Sequence, residues 1–232
     1  MNEELKRKQI HILQTLDSQI DDFYLVGGMA LSLFYFDHRE SEDLDFFTQR
    51  YSRALHRGIA AFIRRKIGYP CTLVAEETRR RYVPMAVYEC SLGRNTALKI
   101  DVVKDVVPLL KPRGANGIAS MDDLYYRKIL AVTGWSARLS ETGRALAGGR
   151  QKTKDVFDLY YLSQHVEPLS AWFSRHGDRA AYERLTAWYL GIPKQKTVGE
   201  LLELVPGCDT KAVFKTLDEQ IIYRLNRVFV SL

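Results

Sequence analysis

The run Asp43-Leu44-Asp45-Phe46-Phe47 constrains this 232-residue chain more than any other segment. Its period of two predicts a strand over 43–47, which sends both aspartates to one face and Leu44 and Phe46 to the other. The strand therefore needs a dry side against a core and a wet side carrying two like charges. Such a pair is costly unless something positive neutralises it. A third acid, Asp101, interrupts the otherwise apolar strand pattern Leu98-Lys99-Ile100-Asp101-Val102-Val103. A carboxylate buried there needs partners. If the two strands are neighbours, three carboxylates converge, enough for two metal ions about 3.5–4 Å apart. The bland readings are a solvated edge strand for Asp43 and Asp45 and an arginine-paired acid for Asp101.

Gly27-Gly28 supplies a second feature. The short apolar strand Phe23-Tyr24-Leu25-Val26 ends in these glycines, and 29–36 then reads as a helix. Bare backbone N–H groups beside a helix start suit phosphate. The motif is neither a dinucleotide fingerprint nor a Walker loop. Elsewhere the patterns predict helices over 4–20 and 52–67, and strands over 71–76, 80–90 and 96–103. The last two are joined by the turn Ser91-Leu92-Gly93-Arg94-Asn95. Pro108, Pro112, Gly114 and Gly117 mark a composition shift, placing a domain boundary between 1–118 and 119–232. Beyond it everything reads helical: 121–134, 152–164, 168–175, 178–190, 197–205 and 210–228, with an irregular loop at 135–150. The fold class expected is α/β, a mixed sheet flanked by helices, followed by an all-helical C-terminal domain.

Charge is unevenly spread. Residues 12–49 hold eight acids against Arg39 alone, whereas 50–99 and 127–154 are strongly basic, and the whole chain carries a formal +6. An acidic knot beside basic segments suits a metal–carboxylate centre handling polyanions, although basic helices also simply solvate their outer faces. With 46% hydrophobic residues the chain can bury a core. No apolar run approaches the roughly 18 residues of a membrane span, so no membrane partner is expected. Cys71, Cys90 and Cys208 form neither a disulfide framework nor a metal knuckle, which points to a reducing cytoplasm. The five histidines show no metal-ligand spacing.

The segments Val26-Gly27-Gly28-Met29-Ala30-Leu31 and Arg39-Glu40-Ser41-Glu42-Asp43-Leu44-Asp45-Phe46-Phe47 resemble the nucleotidyltransferase superfamily, and more narrowly the AbiEii/AbiGii toxin group. The helix Met121–Ala131, with Lys128, resembles that group's lysine-bearing helix. Lys154-Asp155-Val156-Phe157-Asp158-Leu159 resembles its K-D-x-x-D-L helix. Together these cover about residues 20–165. Met29 stands where many members carry a small hydroxyl residue. The resemblance implies a nucleotidyltransferase α/β domain, and a helical domain contributing Lys128, Lys154 and Asp155 to the cleft. Members act as toxins of toxin–antitoxin or phage-exclusion systems; some add nucleotides to tRNA 3′ ends and others bind GTP.

The roles that follow are specific. Asp43 and Asp45 would bind Mg²⁺ on the β- and γ-phosphates of a nucleoside triphosphate, and Asp101 would complete a second metal site and orient the attacking hydroxyl. Gly27 and Gly28 would cradle the triphosphate, with Ser41 adding a hydroxyl. Arg39 would hold the loop or meet a phosphate, and Lys128 would reach the phosphates as a point charge. Asp155 would face the cleft or pair with an arginine. The leading expectation is a Mg²⁺-dependent nucleotidyltransferase acting on tRNA or another RNA, with a cognate antitoxin as partner. The rivals are a non-catalytic nucleotide- or RNA-binding module and a small-molecule nucleotidyltransferase.

Overall fold

The computed structural model describes residues 3–17, 22–79, 82–93, 96–114, 117–134, 138–139, 145–146 and 150–230. Its contacts divide the chain into two units, Met1–Leu124 and Tyr125–Leu232.

The first unit opens with α1 (Glu3–Asp17), then β1 (Tyr24–Val26), α2 (Gly27–Leu31) and a π-helical turn (Ser32–Phe36). There follow β2 (Leu44–Thr48), α3 (Arg53–Ile67), β3 (Cys71–Glu77), β4 (Met85–Gly93) and β5 (Thr96–Lys104). The five strands form one mixed sheet in the order β1-β2-β5-β4-β3. Only β2 and β5 run parallel; the other three pairings are antiparallel. The chain leaves β2, builds α3, β3 and β4, and returns to lay β5 beside it. That crossover brings the two acidic strand segments together.

Alternation then sorts the side chains. Leu44, Phe46, Ala86, Tyr88, Cys90, Leu98, Ile100 and Val102 are all buried and share one face. Ile59 and Ile63 of α3 and Ile12, Leu13 and Leu16 of α1 complete that core. Two bonds tie the helices down: His56 Nδ1 lies 2.7 Å from Tyr88 Oη, and Lys8 Nζ donates to the Leu92 carbonyl at 2.9 Å. α3 is well bounded, with Ser52 Oγ accepting from the Leu55 amide at 3.2 Å and Gly68 closing it at φ +84°.

The edge strand β3 carries a correction. Cys71 and Cys90 face each other across β3 and β4 and are joined by a disulfide, leaving Cys208 as a free thiol. The two stand nineteen positions apart in sequence, and the antiparallel pairing of β3 with β4 makes them neighbours. Strand β4 begins at Met85, later than the expected residue 80, directly after Pro84, which has no N–H to give a ladder. Residues 80–81, and Arg94 and Asn95 of the expected turn, lie outside the described residues.

The helical part comprises α4 (Met121–Thr133), α5 (Thr153–His165), α6 (Leu169–His176), α7 (Arg179–Leu190), α8 (Lys194–Leu204) and α9 (Thr210–Leu217). A π-helical segment (Asp218–Arg224) and α10 (Leu225–Phe229) follow. The helix expected over 210–228 is thus three successive pieces. Most of the 135–150 loop lies outside the described residues; Arg138–Leu139 and Ala145–Leu146 form a two-stranded ladder. The C-terminal core is aromatic, with Trp172, Phe173, Trp188 and Tyr189 each no more than 2% exposed. Among the described residues no helix is long and apolar enough to cross a membrane.

Candidate active site

In the N-terminal unit the sheet register does the assembling. Asp45 and Asp101 are partners on the parallel strands β2 and β5. Residues opposite one another on adjacent strands share a face, about 4.8 Å apart, so both carboxylates leave the same side of the sheet. That is the side away from Leu44, Phe46 and Ile100. Asp43 precedes the strand, which starts one residue later than the period predicts, at Leu44.

Val26 pairs with Asp45 across β1 and β2, which sets Gly27 beside that aspartate. A Cβ on Gly27 would overlap the Asp45 carboxylate, and the backbone there turns at φ +78°, a conformation glycine adopts freely. A Cβ on Gly28 would overlap the Arg39 guanidinium and come within 3.0 Å of Ser41 Oγ. Arg39 and Ser41 are themselves buried, at 6% and 9% exposure. Arg39 Nη1 donates to the Glu40 carbonyl at 2.8 Å, and Ser32 Oγ donates to the Arg39 carbonyl at 2.5 Å, fixing the loop between α2 and β2. The structure therefore brings Gly27, Gly28, Arg39, Ser41, Asp45 and Asp101 to one place.

One participant escaped the sequence reading. Lys99 Nζ donates to Asp101 Oδ2 at 2.6 Å. Desolvation works to lower its pKa, but the Asp101 hydrogen bond and the charges of Asp101, Asp43 and Asp45 hold the ammonium above its ordinary range. The signal was available: Lys99 stands two residues before Asp101 on one strand, hence on the same face. The other carboxylate oxygen, Asp101 Oδ1, is buried with no hydrogen-bond partner, a costly condition for a charged acceptor.

Among the described residues no three His, Cys, Asp or Glu side chains already form a group that could hold a metal ion. The donor chemistry nonetheless fits a hard divalent cation. Mg²⁺ is usually held through one or two carboxylates, with water and substrate phosphate filling the remaining positions. The orphaned Asp101 oxygen and the neighbouring Asp45 supply that number.

The C-terminal unit holds the other predicted residues in a different state. Lys128 Nζ lies 3.1 Å from Asp155 Oδ1 and 2.5 Å from Asp158 Oδ2. Lys128 is 4% exposed and both aspartates are at zero. Arg150 adds a two-pronged contact, Nε to Asp155 Oδ2 and Nη2 to Asp155 Oδ1, both 2.6 Å. Burial alone would raise the Asp155 pKa, but Lys128 and the Arg150 fork outweigh it and hold the carboxylate below its usual range. The sequence reading sends Lys128 to phosphate; in the structure carboxylates of its own unit enclose it. Of the two options for Asp155, the arginine pairing is the one present. Lys154 stands in the first turn of α5 and lines an open cavity of about 610 Å³ with Lys152, Lys196 and Glu200.

Comparison with known proteins fits this geometry. A family described as nucleotidyl transferase AbiEii toxin, of a type IV toxin–antitoxin system, matches residues 11–206. No curated protein matches the chain. Among solved structures the chain resembles a candidate nucleotidyltransferase from H. pylori, with a TM-score of 0.58 at 19% identity, covering 97% of this chain and 95% of that one. It also resembles JHP933 from Helicobacter pylori, with a TM-score of 0.54 at 21% identity, covering 97% and 91%. A third is MenT4, a nucleotidyltransferase toxin of Mycobacterium tuberculosis, with a TM-score of 0.50 at 15% identity, covering 79% of this chain and 64% of that one. These likenesses are of fold, whereas the match of a sequence family over most of the chain establishes kinship: the protein belongs to the AbiEii nucleotidyltransferase toxin family.

Proposed function

We propose that the chain is a Mg²⁺-dependent nucleotidyltransferase that moves a nucleoside monophosphate from a nucleoside triphosphate to an acceptor hydroxyl on RNA, tRNA being the leading acceptor, under the control of an antitoxin. The observation that carries this reading is the register of Asp45 on Asp101, with one Asp101 oxygen buried and unsatisfied and the Gly27 backbone turning against the Asp45 carboxylate.

Asp43, Asp45 and Asp101 would hold Mg²⁺, which when bound neutralises charge on phosphate oxygens. Gly27 and Gly28 let the Asp45 carboxylate and the Arg39 guanidinium close on the backbone, where any Cβ would displace them, and their bare backbone N–H groups would cradle the triphosphate. Arg39 and Ser41, locked by the loop, offer a guanidinium and a hydroxyl to phosphate oxygens. Asp101 orients the acceptor hydroxyl and takes its proton. The acceptor oxygen bonds to the α-phosphorus as the bond to the bridging oxygen breaks, and pyrophosphate leaves. Lys128, Asp155 and Arg150 act as positioning residues, fixing α4 against α5 within the C-terminal unit. Lys154 is assigned to acceptor or nucleotide contact from the rim of its cavity.

Incubation with each labelled nucleoside triphosphate, Mg²⁺ and total RNA should transfer label and release pyrophosphate, and Asp45→Asn should stop both. Absence of transfer with all four nucleotides across RNA, protein and small-molecule acceptors would remove the enzymatic reading. A second reading has one observation in its favour: the Lys99 ammonium already engages Asp101. A site neutralised from within could bind nucleotide or RNA without turnover. Binding by titration with no pyrophosphate released would select that alternative.

A further inference from the structure

Helix α3 carries Arg53, Arg57, Arg64, Arg65 and Lys66 and not one acid along Arg53–Ile67. All five bases are exposed, while His56, Ile59 and Ile63 turn inward. At 3.6 residues per turn, Arg53, Arg57 and Arg64 fall within about 40° of one another and form a stripe roughly 16 Å long. Arg65 flanks it across the exposed Ala54, Gly58 and Ala61. His56 bonds Tyr88, which pairs with Ile100, so α3 covers the apolar face of the sheet. Its outer stripe therefore lies on the opposite side from Asp45 and Asp101.

Folding does not account for all of these charges. Cations in the last turn complement the helix dipole, which covers Arg64, Arg65 and Lys66. Arg53 and Arg57 stand in the N-terminal half, where the dipole offers a cation nothing, and four residues apart they repel each other. The first turns of α1 and α4 carry acids instead. Glu76 Oε1 meets Arg53 at 2.8 Å. Arg57, Arg64, Arg65 and Lys66 form no ion pair with any described residue. The face is a one-signed field without an internal counter-charge.

The neutral residues decide among anionic partners. Only alanine and glycine stand between the arginines, and a Cβ on Gly58 would meet nothing within 4 Å. A protein interface needs an apolar core, and a membrane-bound helix needs large side chains to insert. The exposed positions of α3 offer neither, and they hold no aromatic ring for a base to stack on. A phosphate backbone needs only what is present. Guanidinium forks pair with phosphate oxygens two at a time, and the small residues leave a low floor for the strand.

We propose that the outer face of α3 docks the sugar–phosphate backbone of a folded RNA through Arg57, Arg64 and Arg65, across the sheet from the carboxylate centre. The choice of RNA rests on the acceptor named under the proposed function. Fluorescence anisotropy of labelled total tRNA with the full-length protein, over a series of salt concentrations, tests it. Arg57→Gln with Arg64→Gln should weaken binding about fivefold or more and lower the salt slope by about 2. Gly58→Glu, which adds a repelling charge where there is room, should weaken binding and keep the fold. Lys211→Gln with Lys215→Gln, an equal charge loss on α9, should bind as the parent does, and so should Asp45→Asn. RNA binding lost through α3 but without nucleotide transfer would remove the enzymatic reading and leave this one standing. Transfer to RNA with undiminished binding in both α3 variants would overturn this inference alone. An equal loss from the α9 pair, tighter binding of polyglutamate or of phosphatidylglycerol vesicles than of tRNA, or no binding of tRNA would also overturn it.

Discussion

Two groups of aspartates each meet a lysine in this molecule, and their conditions are opposite. In the C-terminal unit, Lys128 is enclosed by Asp155 and Asp158 with Arg150 closing on the outside. In the N-terminal unit, Lys99 touches only one oxygen of Asp101, and the other oxygen is left without a partner. Lys99 keeps nearly half its side chain in solvent, whereas Lys128 keeps 5%. The saturated cluster has no valence left for a ligand and spends its charge on holding helices together. The unsaturated one has acceptor capacity and an exposed cation that can swing away. Under the proposed function, similar residue types divide into a strut and a reaction centre according to how many of their hydrogen-bonding positions are already filled.

The sharpest way to break that division is Lys128→Met. Two buried carboxylates would lose their central cation, and removing one partner of such a pair costs about 3–5 kcal/mol. The urea midpoint should fall accordingly. An unchanged midpoint with lost transferase activity would move Lys128 into the reaction centre. Next in size, Asp45→Asn should reduce nucleotide transfer by about 100-fold or more, comparable to losing a main electrostatic contact in other enzymes. Its melting temperature should stay within a few degrees of the parent. Asp155→Asn probes the strut through pH. The folded pKa of Asp155 is lowered, so its stabilisation is complete above the ordinary carboxylate range and is lost as pH falls through the lowered folded value. The stability gap between wild type and variant should therefore be widest near pH 7 and narrow in acid, by urea titration across pH. The smallest expected effect is Lys99→Ala, which removes a part-buried ion pair whose lysine is nearly half in solvent and should lower stability by about 1–3 kcal/mol. The same change should alter the Mg²⁺ concentration needed for half-maximal turnover; identical Mg²⁺ dependence would leave Lys99 outside the centre.

Much of this was legible beforehand, for reasons that can be named. The period-two alternation of 43–47 and 98–103 identified the strands and the faces of their aspartates, because burial of one face leaves little freedom of register. That β2 and β5 are neighbours is written in neither segment, since pairing of distant segments leaves no mark on local pattern. The saturation of Lys128 is equally hidden: the three-residue spacing of Asp155 and Asp158 lets them share a helix face, but does not say which cation meets them. Arg150 lies just before α5, in a stretch that reads as loop. The Cys71–Cys90 bond escaped for the same reason, as two cysteines far apart in sequence become partners only through a hairpin. Lys99 is different, because its two-residue offset from Asp101 puts both on one face of the strand and is readable in the sequence.

The paired glycines carry a last consequence. Gly27 and Gly28 leave no room for even a methyl group beside Asp45 and Arg39, respectively. A single added carbon at either would displace one of those groups, and at Gly27 it would also strain a backbone held at φ +78°. In a family described as toxins, these two positions are where one of the smallest changes a genome can make would reach a carboxylate and a guanidinium directly.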